Sequence, residues 1–435
     1  MTSSSSFIGN EGFDCSISSL DFFSPEIVQE DVESGYWETI ASKNTLDNRS
    51  IEFEIDAADK LFVDPQHSYL KTTLRIRNVD NTPIEANAEV SVINYIGATL
   101  FKQVDFFMGN NLIQSSNYYH YQGKLEVELS YNSTAKNSWL QSGIYYEDTA
   151  NQFDAINNAN LGYRSRKNHF AQSRSVEAIS RLHLGFFNQQ KLLLDNVPVK
   201  LIFTRNTDDI CLLTQNDNNV KIEIEDMVLV VRRVKLADHI YNSINMSLSK
   251  EDAIYPISTS KIKVFTKPAG VRDISINNQL STPDIPSRII VGMVSNAAFS
   301  GSKELNPFNF KHFNINYADV RINSKSILTR PLTMNMNRRQ YLDAFYTTMI
   351  SLGYAGKDDG YNITRDQFDG GYFLLGFDTS PTLCNGTYAD PSQTGNVDIE
   401  LKFAQELPET VSVIVYCQYS NKIIIDKARK VTTDF

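Results

Sequence analysis

The chain has 435 residues, 41% of them hydrophobic and 11% aromatic; that is enough for two or three domains with packed cores and too apolar for a disordered chain. Its formal net charge of −10, with no obvious Lys/Arg surplus on any segment, argues against a nucleic-acid binder that works by neutralising phosphates; solubility accounts for it. Four cysteines (Cys15, Cys211, Cys384, Cys417) stand apart with no CxxC spacing, which predicts a reducing compartment and no disulfide framework, and neither a secretory signal nor an apolar run of ~18 residues that would span a membrane is expected.

Residues 1–35 read as an N-terminal arm. Ser3–Ser6 is low in complexity, and Phe7, Ile8, Phe13, Ile17, Leu20, Phe22 and Phe23 follow neither a helical nor a strand period, as expected either of a polar tail with apolar anchors that docks on something or of a frayed terminus. Strands begin near Tyr36. Ile51, Phe53 and Ile55 alternate with acidic residues, Asp64–Pro65 is expected to break the chain, and Tyr69–Asn78 alternates again before a turn at Asn78–Pro83. Val90–Phe107 is expected to be helical or extended. A hairpin follows at Asp105–Ile113, and Tyr118–Tyr131 is a short amphipathic helix with Leu125 and Leu129 inside and Glu126 and Glu128 outside. Asn132–Arg174 has no clear period and reads as a long excursion loop, a kind of segment that usually makes contacts. Next come LHLGFFN (Leu182–Asn188), NVPVKLIF (Asn196–Phe203) and VLVVRRVKL (Val228–Leu236), all read as strands.

Lys235–Ile244 marks a boundary with a short helix-like link. Beyond it Lys261–Phe265 and Ser287–Val294 are strands, and Phe308–Phe313 runs as a strand containing His312 into a hairpin at Asp319–Ile327. A helix over roughly Arg338–Leu352 has Leu342, Phe345, Met349 and Leu352 on its apolar face. Leu352–Gly371 is a second excursion. FLLGFD (Phe373–Asp378), NVDIELKF (Asn396–Phe403) and VSVIVYCQY (Val411–Tyr419) close the half, with Cys417 on a buried strand face and a charged tail after Ile423–Ile425.

The two halves repeat. NVPVKLIF and NVDIELKF share one frame, with apolar residues alternating at Val197, Val199, Leu201 and Phe203 and at Val397, Ile399, Leu401 and Phe403. Hairpin, helix, excursion, Leu-Gly-Phe string, alternating strand and final strand occur in the same order in both. The expected fold is all-β: two tandem eight-stranded jelly-roll β-sandwiches with short helices in the loops, arranged as an arm (1–35), a first jelly roll (36–236) and a second (237–435).

Chemistry is sparse. The six histidines (His67, His120, His169, His183, His239, His312) make no HxH, HExxH or helical HxxxH pattern, and GxSxG and P-loop spacings are missing. Asp358, Asp359, Asp366 and Asp369 form an acidic stretch, but Gly360 is misplaced for a calcium loop. No Glu pair stands out for a glycosidase. Five Asn-x-Ser/Thr sequons (Asn48, Asn132, Asn245, Asn362, Asn385) are at chance level in so Asn- and Ser-rich a chain. No catalytic, cofactor-binding or metal-binding residue is assigned, no cofactor is expected, and the chain is read as not an enzyme.

Four strings carry a resemblance: Ser173–Asn206, Tyr255–Gly270, Arg288–Ile315 (with NPFNFKHFN) and Leu401–Val431 (with ELPETVSVIVY). Together they resemble the double jelly-roll major capsid proteins of Polinton/Maverick elements and adintoviruses, from about Tyr36 to the end and most weakly in the arm and excursions. The resemblance implies a structural virion protein with no catalytic residues. It implies homotrimers, each a pseudo-hexagonal capsomer of six jelly rolls tiling the icosahedral shell of a double-stranded DNA virus or virus-like element. It further implies neighbouring capsomers, penton and minor capsid proteins as partners, and assembly inside the host cell, without sequence-specific nucleic-acid binding or a membrane-spanning segment. The excursions are expected to bury surface between subunits or to cap the tower. The alternative is a carbohydrate-binding or adhesive tandem β-sandwich protein, since jelly rolls also serve as lectins.

Overall fold

The computed structural model describes residues 22, 28–215, 219–280, 284–358, 360–383 and 391–434. Cys15, Cys384, Asp359, the Asn385 sequon and most of the 1–35 arm lie outside these residues.

The first half contains, in order, β1 (Val32–Ala41), β2 (Ser50–Ile55), β3 (Leu61–Asn78), β4 (Val90–Val92), α1 (Ile96–Thr99), β5 (Phe101–Met108), β6 (Asn111–Asn117), α2 (Tyr119–Ser130), α3 (Ser133–Lys136), α4 (Leu161–Phe170), β7 (Val176–Arg181), β8 (Val199–Arg205), α5 (Asp208–Cys211), β9 (Leu212–Thr214) and β10 (Val220–Leu236). Helix α6 (Asp238–Leu248) leads to β11 (Ala253–Lys267), β12 (Asp273–Asn277), β13 (Arg288–Ser295), α7 (Asn296–Ser300), β14 (Ile315–Ile322), β15 (Lys325–Ser326) and β16 (Leu332–Thr333). The chain finishes with α8 (Leu342–Ser351), α9 (Arg365–Phe368), β17 (Leu374–Asp378), β18 (Val397–Phe403), β19 (Val411–Ile425) and β20 (Val431–Thr433).

The strand order is the same in both halves. Sheet β1-β10-β3-β7 accompanies β2-β8-β5-β6 in the first half, and β11-β19-β13-β17 accompanies β12-β18-β14-β15 in the second. Every named pair is antiparallel. Each half thus has two sheets built on a four-strand path, extended in the second half by β20 beside β19 and β16 beside β14, and most neighbours are distant in sequence; this is the wiring of a jelly roll, so the protein is a double jelly roll. The repeated frames fall on equivalent strands: NVPVKLIF supplies β8 and NVDIELKF supplies β18, each second in its sheet. The hairpins β5–β6 and β14–β15 also correspond.

Side-chain alternation explains the packing. Val199, Leu201 and Phe203 of β8 are buried, as are Val397, Ile399, Leu401 and Phe403 of β18, while the residues between are only half covered. Phe203 meets Phe53 edge-on (5.9 Å between centroids) and Phe101 (5.0 Å) in the first core. The sheet of β19 and β13 differs, because it is buried on both faces. Val411, Val413, Val415 and Cys417, with Ile289, Val291 and Met293, fill the second sandwich, whereas Ile414, Tyr416, Ile290 and Val294 join the core of the first. A strand covered on both faces reads as a continuous apolar run, and VSVIVY and RIIVGMV do.

Several expectations are corrected. Asp64–Pro65 does not end a strand: β3 runs through it, and the register with β10 shifts between Val230 and Arg232, because a bulge accommodates a proline that has no N–H to donate. Asn132–Arg174 is not a loop but holds α3, a 3-10 turn at Trp139–Gly143 and α4, with Leu140, Tyr145, Phe153, Tyr163 and Phe170 buried in the chain's own core. LHLGFFN is not a strand: β7 ends at Arg181 and Gly185–Asn188 is a 3-10 turn. Phe308–Phe313 is irregular apart from one parallel bridge, Phe310 to Tyr372, and β14 starts at Ile315 because Phe313 and Asn314 take positive φ. Helix α8 packs Phe345, Met349 and Leu352 against the cores as expected, but it also buries Ala344, Thr348 and Ser351, and it leaves Leu342 exposed. Within the charged tail after Ile425, β20 pairs with β19, a strand the sequence reading did not assign.

Candidate functional site

The histidines do not converge. His67 meets Asp64 (2.7 Å), His169 meets the Tyr146 hydroxyl (2.7 Å), and His312 Nδ1 accepts from the Asn314 N–H (2.9 Å). His120 is buried on α2, and burial, aided by Lys102, pushes it down to about 3. His239 lies on α6. Asp366 and Asp369 both face Arg339 (2.9 and 3.4 Å), so part of the acidic stretch is engaged in ion pairs. Among the described residues, no group of three or more His, Cys, Asp or Glu side chains is placed to hold a metal ion.

What the fold builds instead is a seam between the sandwiches. Its apolar part is aromatic. Tyr121 of α2 stacks on Phe299 (5.9 Å) and meets Phe308 edge-on (5.6 Å), Phe186 packs on Tyr255 (5.7 Å), and Phe153 meets Tyr372 (4.8 Å). The Tyr255 hydroxyl accepts from the Leu194 N–H (3.2 Å) and donates to the Leu192 carbonyl (3.1 Å). Arg429, in the turn before β20, pairs with the buried Asp195. This strap ties the C-terminal hairpin to the first sandwich.

The polar part centres on Glu128, a residue placed outside the helix by its sequence position. It is 2% exposed. Lys124, one turn earlier on α2, and Lys136 of α3 (2.8 Å) both pair with it, and the Tyr145 hydroxyl donates to it (3.1 Å). Burial alone would raise this carboxyl, but the two ammonium groups outweigh burial and hold it at about 2. The cluster reaches the second sandwich through Asn362: its carbonyl oxygen accepts from Lys136 (2.5 Å), and its amide donates to Glu147 (2.6 Å). Gln367 of α9 also donates to Glu147 (2.9 Å). Burial, and then the charge of Glu128, raise the Glu147 carboxyl. The Asn362 sequon is thus part of the seam.

A second anchor is Asp148. Arg166 of α4 is fully buried; it pairs with Asp148 (2.7 Å) and donates to the Val92 and Tyr146 carbonyls (3.0 and 2.7 Å). Asn160 caps α4 and also donates to Asp148 (2.9 Å). From the second sandwich the Tyr372 hydroxyl donates to the Asp148 carbonyl (2.5 Å), while the Asn306 N–H and Asn309 amide donate to Asp154 (2.9 and 2.7 Å). Removing one partner from a buried network of this kind leaves an uncompensated charge and is strongly destabilising. Sequence reasoning missed these residues; NPFNF, which supplies Asn306 and Asn309, was the available signal.

Outside the seam, β1 is a sheet edge with both faces largely open. Tyr36 and Trp37 are about half exposed (48% and 50%), and the Arg232 guanidinium lies over the Trp37 ring at 5.3 Å. Among the described residues no helix is long and apolar enough to cross a membrane.

No family model matches the chain. An uncharacterized protein of Caenorhabditis elegans is 23% identical over 419 residues, which cover 93% of this chain and 98% of that protein. Among solved structures, a chain of the Sputnik virophage superposes with a TM-score of 0.68 at 10% identity, covering 97% of this chain and 93% of its own. The mavirus major capsid protein gives 0.59 at 11% identity over 99% and 96%, and a PBCV-1 virus capsid chain gives 0.59 at 11% over 95% and 99%. The likeness is one of fold, and it spans both jelly rolls.

Proposed function

We propose that this chain is a major capsid protein of a double-stranded DNA virus or virus-like element of the Polinton/Maverick and adintovirus kind. One observation carries the proposal: two jelly rolls of identical strand order in one chain match a virophage chain over nearly the full length of both.

In this reading the chain is divided into an arm (1–35), a first jelly roll (36–236) and a second (237–435), with α6 as the link. Three chains associate so that six sandwiches form a pseudo-hexagonal capsomer. The repeated strand order supplies near-equivalent edges. The differences between the halves, such as the helical excursion of the first against the shorter one of the second, set orientation. The seam then serves assembly by holding the two sandwiches at one fixed angle, without which six edges would not tile. Neighbouring capsomers, penton and minor capsid proteins are its partners, the virion shell is its location, and assembly takes place inside the host cell. No catalytic role is assigned.

Negative-stain imaging of the concentrated protein is the test. Six-lobed particles about one capsomer across, or sheets of them, are expected; fields of isolated two-lobed particles at every concentration would refute the proposal.

A further inference from the structure

Between the sandwiches lies a cleft of about 460 Å³, within the range of small-molecule sites. Its two cations come from different sandwiches. Arg181 is the last residue of β7 and Arg288 the first of β13. Arg181 donates to the Tyr131 hydroxyl (3.2 Å) and Arg288 to the Gln418 side-chain carbonyl (3.2 Å). Among the described residues, neither forms an ion pair with a carboxylate. The Arg288 Nε is buried and meets no acceptor, which is costly for a guanidinium N–H. The carboxylate of the cleft, Glu126, is already engaged by His183 (2.9 Å), Gln122 (3.0 Å) and Ser260 (3.2 Å). Apolar wall is supplied by Leu125, Leu129, Ile257 and Ile290.

Two guanidinium forks without carboxylates, facing a space with an apolar wall, define a ligand class. We propose that the cleft binds an organic oxyanion, a carboxylate or phosphate monoester on an aromatic or aliphatic body. Its head lies against Arg181 and Arg288, and its body lies on Leu125, Leu129, Ile257 and Ile290. Since each sandwich contributes one arginine, the bound anion ties the two together and stabilises the seam.

The test is calorimetric titration of the full chain with phenyl phosphate and, separately, with inorganic phosphate. Saturable binding of one phenyl phosphate per chain is expected, at least about tenfold tighter than inorganic phosphate because the ring reaches the apolar wall. Arg288→Gln and Arg181→Gln should each weaken it by about tenfold or more. The unmodified protein gives a second readout that does not depend on how the variants fold: phenyl phosphate should protect Arg181 and Arg288 from phenylglyoxal, scored by peptide mass spectrometry. No saturable binding, equal affinity for the two probes, or labelling of both arginines unchanged by phenyl phosphate would each overturn the proposal.

Discussion

At the scale of single residues, the buried charges of α2 make sharp predictions. Removing the Glu128 charge leaves Lys124 and Lys136 facing each other in a dry site, so Glu128→Gln should cost about 3–5 kcal/mol, read as a lower urea midpoint. Acid should act in the same direction. The Glu128 carboxyl sits at about 2 in the folded chain against an ordinary 4.5, so its contribution is complete above pH 4.5 and is lost as pH falls toward 2. His120 sits at about 3 against an ordinary 6.5. Its depressed value likewise gives stability that is complete above pH 6.5 and drains away as pH falls toward 3. His120→Phe should therefore flatten the fall in stability between pH 6.5 and 3, keeping roughly 3 kcal/mol at pH 4 that the parent chain loses. Denaturant titrations of both proteins at pH 7 and pH 4 check this; parallel losses would contradict it. None of this was legible in the sequence. Helical spacing put Glu128 one place from Leu129 and therefore outside; α3 and Tyr145, folded over that face by a segment with no clear period, put it inside.

At the scale of elements, one tripeptide does two different things. Leu-Gly-Phe occurs in both halves, yet its first copy is a turn and its second lies in β17. At Gly376 a Cβ would intrude on the Ser351 hydroxyl and sit 3.2 Å from the Thr348 Cα, because α8 lies directly on β17. The Thr348 hydroxyl accepts from the Gly376 N–H (2.9 Å) at that crossing. At Gly185 a Cβ would strike the Ser258 carbonyl of β11, a contact between sandwiches. Gly376→Ala should push α8 off its sheet at a cost of about 1–3 kcal/mol. Gly185→Ala should open the seam instead, and be read as faster proteolysis between the halves with each sandwich still folded. Strand identity was far more legible than this. Period-two alternation located β2, β8 and β18 because one face of each is buried, and the doubly apolar runs located β13 and β19 because both are. Phe203→Ala, which empties the space between Phe53 and Phe101, should cost about 3–5 kcal/mol, measured by urea denaturation. Periodicity supported a sandwich only; the jelly-roll wiring was suggested by the number and spacing of strands and implied by the resemblance. The helical excursion and FNFKHFN were not, since their order comes from tertiary partners such as Asp148 and Tyr372.

At the scale of the whole molecule, the seam makes two sandwiches into one building block. Aromatic packing around Tyr121, the Glu128–Asn362 bridge and the Arg429–Asp195 strap span both halves, so their relative angle is held by interactions of three kinds. In the proposed reading three such blocks meet and present six sandwiches, and that is the central claim. The mass in solution, from light scattering on a sizing column, tests it most directly. The account predicts a species near three times the 49.3 kDa chain mass. A 49.3 kDa monomer at every concentration reached would contradict it.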